Sequence, residues 1–271
     1  PVTPRFEKEI CKYTGSNHSV AVINATSALH IACLALGVGN KDIVWTSPIS
    51  FVASANCAKY CGAEVDFVDI DPDTYNMSIQ ALEEKLQKAK KKNIVPKVVI
   101  PVHLSGQSCD MEAISKLGKQ YGFKIIEDAS HAIGGSYKSS KVGSCQYSDI
   151  CVFSFHPVKI ITTCEGGICT TNDSELHQKM YNLRSHGIVR NQEDMKNTKH
   201  GPWYYEQIDL GFNYRLNDLQ AALGISQLKK LNSFVEKRIL IAKKYDEIFQ
   251  KETDLKLPNQ AKQPISSFHL Y

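Results

Sequence analysis

An α/β fold with a mainly parallel central sheet, flanked by helices, is predicted by three observations. Short apolar runs of strand length alternate with segments whose apolar residues recur at helical spacing. Such βα alternation implies parallel strands with both faces covered. Polar residues also gather just beyond the carboxyl ends of the runs, where open α/β sheets bind their ligands.

The elements follow in order. SVAVIN (19–24) reads as a strand, and TSALHIACLAL (26–36) as a helix stopping at Gly37. DIVWTSP (42–48) is a strand, SFVASANCAKYCG (50–62) a helix ending at Gly62, and EVDFVDID (64–71) alternates like a strand. MSIQALEEKLQKAKKK (77–92) is a helix with Ser78 as a candidate N-cap. Its lysines 88–92 read as a solvated helix end. KVVIPVH (97–103) and FKIIEDAS (123–130) are strands separated by the helix CDMEAISKLGKQYG (109–122). SDICVFSF (148–155) and GGICTTN (166–172) are strands with no helix between them, so an antiparallel member is expected there. SELHQKMYNLRSHG (174–187) reads as a helix. Asn217 with Gln220 three residues on is a capping-box signature, opening one long helix or two in tandem that leave the main domain.

Size and composition narrow the function. The 271 residues, 42% hydrophobic and 22% charged, suffice for one large domain and the start of a second. A net charge of +4 is too mild to argue for nucleic acid or an acidic membrane. No apolar run reaches the ~18 residues of a membrane span, and no signal peptide opens the chain. Nine cysteines without a CxxC pair suit a reducing cytosol rather than a disulfide scaffold or a zinc site. The missing initiator Met and the ending SSFHLY lead us to expect a chain cut at both ends.

The polar groups expected on one rim are Asn24–Ser27, Ser47–Phe51, His103–Gly106, Glu127–His131 and Ser154–Lys159. The turn Asn24-Ala25-Thr26-Ser27 before a helix offers free N–H groups and a helix dipole to an anion; its simpler reading is N-capping by Thr26 or Ser27. Asp128 is either a cap or ion-pair partner, or a carboxylate for a cationic ring nitrogen. His131 is as readily structural as functional. Lys159 stands alone in FSFHPVKIITTCEGG (153–167), between two segments that look buried. A lysine desolvated on such a rim has a lowered pKa and can form a Schiff base. Anion turn, carboxylate and lysine together match the phosphate, pyridine nitrogen and aldehyde of pyridoxal phosphate (PLP). The absence of GxGxxG and GxxxxGK[ST] leaves a dinucleotide or P-loop site unsupported.

Six ordered motifs carry a resemblance: NATSALH, SPISFVASAN, EDASHAIGGSY, FSFHPVKIITTCEGG, NLRSHGI and LGFNYRLNDLQAALGISQLKKL. They resemble the sugar aminotransferases of fold type I, the DegT/DnrJ/EryC1/StrS family, over nearly the whole chain. SFHPVK, TNDSELHQKM and GPWYYE point to its branch in pseudaminic acid biosynthesis. The resemblance implies a fold type I PLP-dependent transferase, with residues 1–215 as the PLP-binding domain. Residues 216–271 would form a long helical connection and the start of a small C-terminal α+β domain. It implies Lys159 as the Schiff-base lysine, Asp128 on the ring nitrogen and His131 at the ring hydroxyl. Thr26, Ser27 and Ser154 would hold the phosphate, and Phe51 would stack on the ring. Asn213 would reach the phosphate of the other subunit's cofactor, which makes the protein a homodimer with shared sites. His186 and Tyr205 would lie toward the sugar nucleotide. The implied reaction moves an amino group from L-glutamate to C4 of a UDP-4-keto-6-deoxy-HexNAc in the cytoplasm. Alternatives are a GDP-perosamine or UDP-bacillosamine type enzyme, or an inactive PLP-binding homologue. Ile160, where the family pattern has proline, and Cys164, where it has a small residue, are departures that remove no chemical group. Glu165 receives no role.

Overall fold

Strand-length runs of β-branched residues and capped amphipathic segments set the elements of the computed structural model, which describes residues 1–195, 201–252, 254–257 and 265–271. In chain order these are α1 (Thr3–Thr14), β1 (His18–Val22), α2 (Ala25–Ala35), β2 (Ile43–Thr46), α3 (Ala53–Tyr60) and β3 (Glu64–Phe67). They continue with α4 (Ile79–Lys91), β4 (Val98–Ile100), α5 (Met111–Tyr121), β5 (Lys124–Asp128), and a small hairpin of β6 (Ser136–Tyr137) and β7 (Ser140–Lys141). Then come β8 (Ile150–Ser154), β9 (Gly167–Thr171), α6 (Ser174–Leu183), β10 (Ile188–Val189), β11 (Glu206–Gln207), α7 (Asp218–Leu228) and α8 (Leu231–Phe249).

Seven strands form the central sheet in the order β1-β9-β8-β5-β4-β2-β3. β9 runs antiparallel to both β1 and β8, and the other pairings are parallel. The reversed strand is therefore the second of the two that lack an intervening helix. All the parallel strands point their carboxyl ends to one rim, while β9 begins there.

Both faces are covered, and alternation along each strand divides the residues between them. Val98 and Ile100 join the core under α2, α3 and α6. Val99 between them faces α4 and α5 with Trp45 and Ile125. Cys151 and Phe153 of β8 meet α1, α7 and the start of α8. Leu82 and Leu86 of α4 are fully buried, each worth ~1.5–3 kcal/mol relative to exposure. Cys33, Cys151 and Cys169 are buried among these apolar side chains, as their sequence context predicts.

Local chemistry explains the boundaries. Ser78 caps α4, accepting from the Ala81 N–H. Asn217 and Gln220 form the capping box of α7, a feature worth about 1 kcal/mol. The C-terminal segment is two helices, and α7 and the first half of α8 do not depart from the main body: Ala221, Leu231 and Val235 are buried in its core. The helix expected over 174–187 ends at Leu183, because His186 and Gly187 take left-handed backbones. A Cβ on Gly187 would stand 2.0 Å from the Asp209 carbonyl oxygen. Helix α1 escaped the sequence reading, although its signals are ordinary: Pro4 in the first turn, Phe6 and Ile10 one turn apart and buried, Gly15 as left-handed C-cap. Among the described residues, no helix is long and apolar enough to cross a membrane.

Candidate active site

The rim is built from the ends of five strands. β5 ends at Asp128, which is buried. Its Oδ2 accepts the Ser54 hydroxyl at 2.6 Å. Its Oδ1 accepts the Ser130 N–H at 3.1 Å and hydroxyl at 2.6 Å. Four donors' worth of lone-pair sites are thus partly used, and the carboxylate is aimed by both α3 and its own following turn. One residue earlier, Glu127 points to the other side of the strand. It accepts from His103 Nε2 at 2.8 Å. His103 Nδ1 accepts the Cys109 N–H at 3.2 Å, so Nε2 carries the proton. This buried pair fixes the ends of β4 and β5 against each other beneath the rim.

Lys159 is presented by a turn pinned at both sides. Phe155 before it and Ile160 and Ile161 after it are buried. The Lys159 N–H donates to the His156 carbonyl at 2.9 Å, and the Thr163 N–H returns to Phe155 at 3.0 Å. The two apolar flanks therefore hold the loop while the lysine is left half-buried between them. Burial lowers its pKa from the ordinary lysine range, and the Asp128 charge partly opposes that. His131 lies in the field of the same two groups. Burial first, then the Lys159 charge, brings it down to about 4. Its Nδ1 accepts the Ser105 N–H at 3.3 Å, which matches a neutral ring.

The anion turn is also well defined. Asn24, not Thr26 or Ser27, is the N-cap of α2; its side chain accepts the Ser27 N–H at 2.8 Å. The capping reading of Thr26 and Ser27 is thereby replaced, because Asn24 reaches the third amide first. Both hydroxyls remain in the first turn, with Ser27 buried. Gly167 opens β9 directly against this turn: a Cβ there would stand 2.5 Å from the Asn24 carbonyl carbon and 2.6 Å from the Ala25 nitrogen. Gly167 also pairs with Ser154 of β8 on one side and Val22 of β1 on the other. The reversed strand thus brings Ser154 of β8 and the α2 N-terminus to either side of Gly167. Phe51 stands on the approach to α3, 70% exposed. An acid paired to two hydroxyls, a desolvated amine and a glycine-packed helix N-terminus fit the ring nitrogen, aldehyde and phosphate of PLP.

His186, Asn213 and Tyr205 form a second group beyond β1. Asn213 is exposed and pairs with Ser185 in an isolated bridge. The His186 N–H donates to Phe212 at 2.8 Å. The Arg190 guanidinium lies 5.3 Å from the Tyr205 ring centre. A cavity of about 580 Å³ is lined here by Tyr181, His186, Arg190 and Arg215.

Three further residues enter the rim to which the sequence assigns no role in the site. Residues 265–271 return to it: the His269 N–H donates to Ser105 at 2.8 Å, and the His269 ring lies 4.4 Å from that of His131. Burial, with His131 and Lys159 adding, brings His269 down to about 3. Its Nδ1 and the buried Ser47 hydroxyl have no hydrogen-bond partner among the described residues. Only the long-range return of the chain places His269 here, whereas Ser47 lay within a rim group the sequence already marked. Gln220 is the third. Its Nε2 donates to the Glu165 carbonyl at 2.9 Å, and the Thr163 hydroxyl donates there at 2.7 Å. Glu165 is thus used mainly through its backbone, closing the lysine turn against α7.

The chain is 45% identical over 269 residues to the UDP-4-amino-4,6-dideoxy-N-acetyl-beta-L-altrosamine transaminase of Campylobacter jejuni subsp. jejuni serotype O:2, covering 98% of this chain and 66% of that protein. Among solved structures it resembles Helicobacter pylori PseC, an aminotransferase of pseudaminic acid biosynthesis, with a TM-score of 0.85 and 36% identity over 100% of this chain and 69% of that one. It also resembles the PLP form of Spr1654 from Streptococcus pneumoniae, with a TM-score of 0.85 and 28% identity over 100% of this chain and 70% of that one. The chain thus spans about two thirds of the length of these relatives. The family model for the DegT/DnrJ/EryC1/StrS aminotransferases matches residues 1–271, and with its whole length so matched the chain belongs to that family.

Proposed function

We propose that the protein is a PLP-dependent aminotransferase that moves an amino group from L-glutamate to C4 of a UDP-linked 4-keto-6-deoxy-HexNAc. The observation that carries this reading is the buried Asp128 carboxylate, fixed by Ser54 and Ser130 at the end of β5, on the rim that also bears half-buried Lys159, His131 and the α2 N-terminus. Its reading as the pseudaminic acid branch rests on the Campylobacter and Helicobacter relatives.

PLP, when bound, supplies an aldehyde for the amino group and a ring that accepts carbanion charge. The chain's part is position and proton movement. Thr26, Ser27, Ser154 and the amides of the α2 first turn other than that of Ser27 would hold the phosphate, aided by the helix dipole. Asp128, fixed by Ser54 and Ser130, keeps a proton on the ring nitrogen. His131, neutral near pH 7, offers a hydrogen bond to the ring hydroxyl. Phe51 covers the ring plane. Lys159 Nζ takes the proton from the glutamate Cα and later returns one to C4 of the sugar. Burial lowers its pKa, the direction that favours the free amine a general base needs; such a base contributes about 10²–10⁴ in rate. Asp128 matters most in the transition state, where charge reaches the ring.

In the cavity beyond β1, Arg190 and Arg215 give cationic groups for the diphosphate of a nucleotide sugar, with the His186 ring as a further hydrogen-bonding group, beside Tyr205. Asn213 reaches toward the partner's cofactor in a homodimer that works in the cytoplasm, a compartment in keeping with nine free cysteines. Residues 1–215 supply the groups that would bind PLP; α7 and the first half of α8 complete the core of that domain, and the rest of 216–271 would lead toward a small C-terminal domain. The test is an absorbance scan of PLP-loaded protein, before and after glutamate, then with UDP- and GDP-linked 4-keto sugars. A glutamate-dependent shift, reversed by the UDP-sugar with 2-oxoglutarate released, is expected. Reversal by the GDP-sugar alone would reassign the substrate, and no shift with glutamate would remove the aminotransferase reading.

A further inference from the structure

Residues 265–271 and the turn at residues 104–106 enclose His131. The Ser105 N–H donates to its Nδ1 at 3.3 Å. The His269 ring lies against its face, with 4.4 Å between ring centres and a tilt of 32°. The Ser267 hydroxyl donates to the His131 carbonyl at 3.0 Å. The charged groups acting on these two rings are Lys159, Asp128 and Arg238.

The backbone that makes this enclosure is constrained. Ser105 has a left-handed φ of 57°, which a residue with a Cβ keeps only where its surroundings enforce it. The returning segment does so. The Ser105 carbonyl accepts the His269 N–H at 2.8 Å, and the Gly106 carbonyl accepts the Ser267 N–H at 3.0 Å. Gly106 permits the approach: a Cβ there would stand 2.6 Å from the Ser267 hydroxyl and 3.1 Å from the His131 carbonyl oxygen. Helix α8 anchors the segment in turn, through Arg238 Nη1, which donates to the Phe268 and His269 carbonyls at 2.9 and 3.1 Å.

A neutral imidazole has two tautomers, and the hydrogen bond at one nitrogen selects between them. A ring that accepts at Nδ1 carries its proton at Nε2. We propose that Ser105 and His269 are positioning residues for the aminotransferase reaction: they hold His131 as the Nε2-protonated tautomer, so that it donates to the ring oxygen of PLP and never accepts from it. Ser105 selects the nitrogen. The His269 ring, packed on the face of His131, opposes the rotation that would turn a ring carbon toward Ser105. A fixed donor favours the deprotonated form of the oxygen it faces. The inference rests on the PLP reading of the site and adds the returning segment, through His131, to the groups that tune the cofactor.

The test records nitrogen-15 spectra of the histidine rings in the cofactor-free chain at pH 8, where the rings are neutral and report tautomer alone. His131→Gln identifies the His131 signals. The wild type should show a protonated Nε2 and an unprotonated Nδ1. His269→Ala should show averaged signals of both tautomers. His269→Phe keeps a ring against His131 and removes a buried Nδ1 that has no hydrogen-bond partner among the described residues, so it should restore the single tautomer. PLP titration should show binding about tenfold weaker in His269→Ala, the scale of one lost hydrogen bond, and recovered in His269→Phe. A protonated Nδ1 in the wild type would overturn the proposal, even if His269→Ala does not fold. So would a single tautomer unchanged in His269→Ala, or a tautomer that His269→Phe fails to restore. A wild type that binds no PLP fails the function proposed for the site, and is told apart from these outcomes because the ring spectra need no cofactor.

Discussion

The hydroxyl of Ser54, fully buried on α3, donates to Asp128 Oδ2 at 2.6 Å and so ties the acid on β5 to the helix that follows β2. The Ser50 hydroxyl lies 2.6 Å from that of Ser54 and extends the chain to the exposed loop before α3. Ser54→Ala leaves one carboxylate oxygen without its partner inside the protein, a loss of about 1–3 kcal/mol. Urea denaturation of the cofactor-free chain should show a fall of that size, and PLP titration a weaker affinity. A variant with unchanged midpoint and unchanged affinity would show that Ser54 does not aim the acid.

Lys159→Ala should abolish the absorbance of a lysine-linked cofactor and reduce turnover by 10³-fold or more, since it deletes both attachment and proton carrier. Lys159→Arg should fare no better: it keeps a positive charge but cannot be deprotonated. Persistence of the lysine-linked spectrum in either variant would move the assignment to another residue.

Asp128→Ala should separate binding from rate. The α2 turn, Thr26, Ser27 and Ser154 remain, so the phosphate should still bring PLP to the protein. Without the carboxylate the ring nitrogen loses its proton, and most activity should go. A variant with near-normal kcat would refute the electrostatic role of Asp128.

Gly167→Ala tests the packing of the anion turn. The added Cβ would meet backbone atoms of Asn24 and Ala25 at 2.5–2.6 Å, so β9 or the turn must move. PLP affinity should drop at least tenfold. Gly39→Ala, where a Cβ meets nothing within 4 Å, should leave it unchanged and serves as the control. Equal affinities in the two variants would mean that the turn does not hold the phosphate.

Much of this rim is readable from local chemistry. Strand ends at Asn24, Asp128 and Ser154 follow from short apolar runs, and the parallel order that puts them on one side follows from βα alternation. The lone Lys159 is conspicuous because Phe155, Ile160 and Ile161 around it are apolar. What escapes the sequence depends on contacts far apart in the chain. Asn24 outcompetes Thr26 and Ser27 as N-cap because of side-chain reach in the folded turn. Gly167 is needed because β9 lies against residues 24–25. His269 meets His131 across 138 positions of chain (269 − 131) only after α8 turns the chain back. Helix 174–187 looked longer because the left-handed pair His186-Gly187 is imposed by the Asp209 backbone, which no local pattern reveals.

His131 gives the chain a pH dependence with a definite sign. In the folded cofactor-free protein it stays neutral down to about 4, whereas in the unfolded chain it takes a proton near 6.5. Between those values the unfolded state binds more protons, so stability falls as pH drops from about 6.5 to 4 and this contribution is spent below that. Lys159, whose charge reaches the ring, keeps the sign by opposing its protonation, and the His269 ring, tilted against it at 4.4 Å, adds no negative charge. Asp128 acts the other way but is the lesser influence. His131→Gln keeps a hydrogen-bonding side chain and removes the titration. The stability difference between wild type and variant should therefore shift by about 2 kcal/mol, against the wild type, as pH goes from 7 to 4.5. Urea denaturation at the two values measures it. His269, depressed in the same direction, is present in both proteins and largely cancels. A difference that stays constant with pH would mean that His131 takes its proton at the same pH in the folded and the unfolded chain, so that its surroundings do not hold the ring neutral.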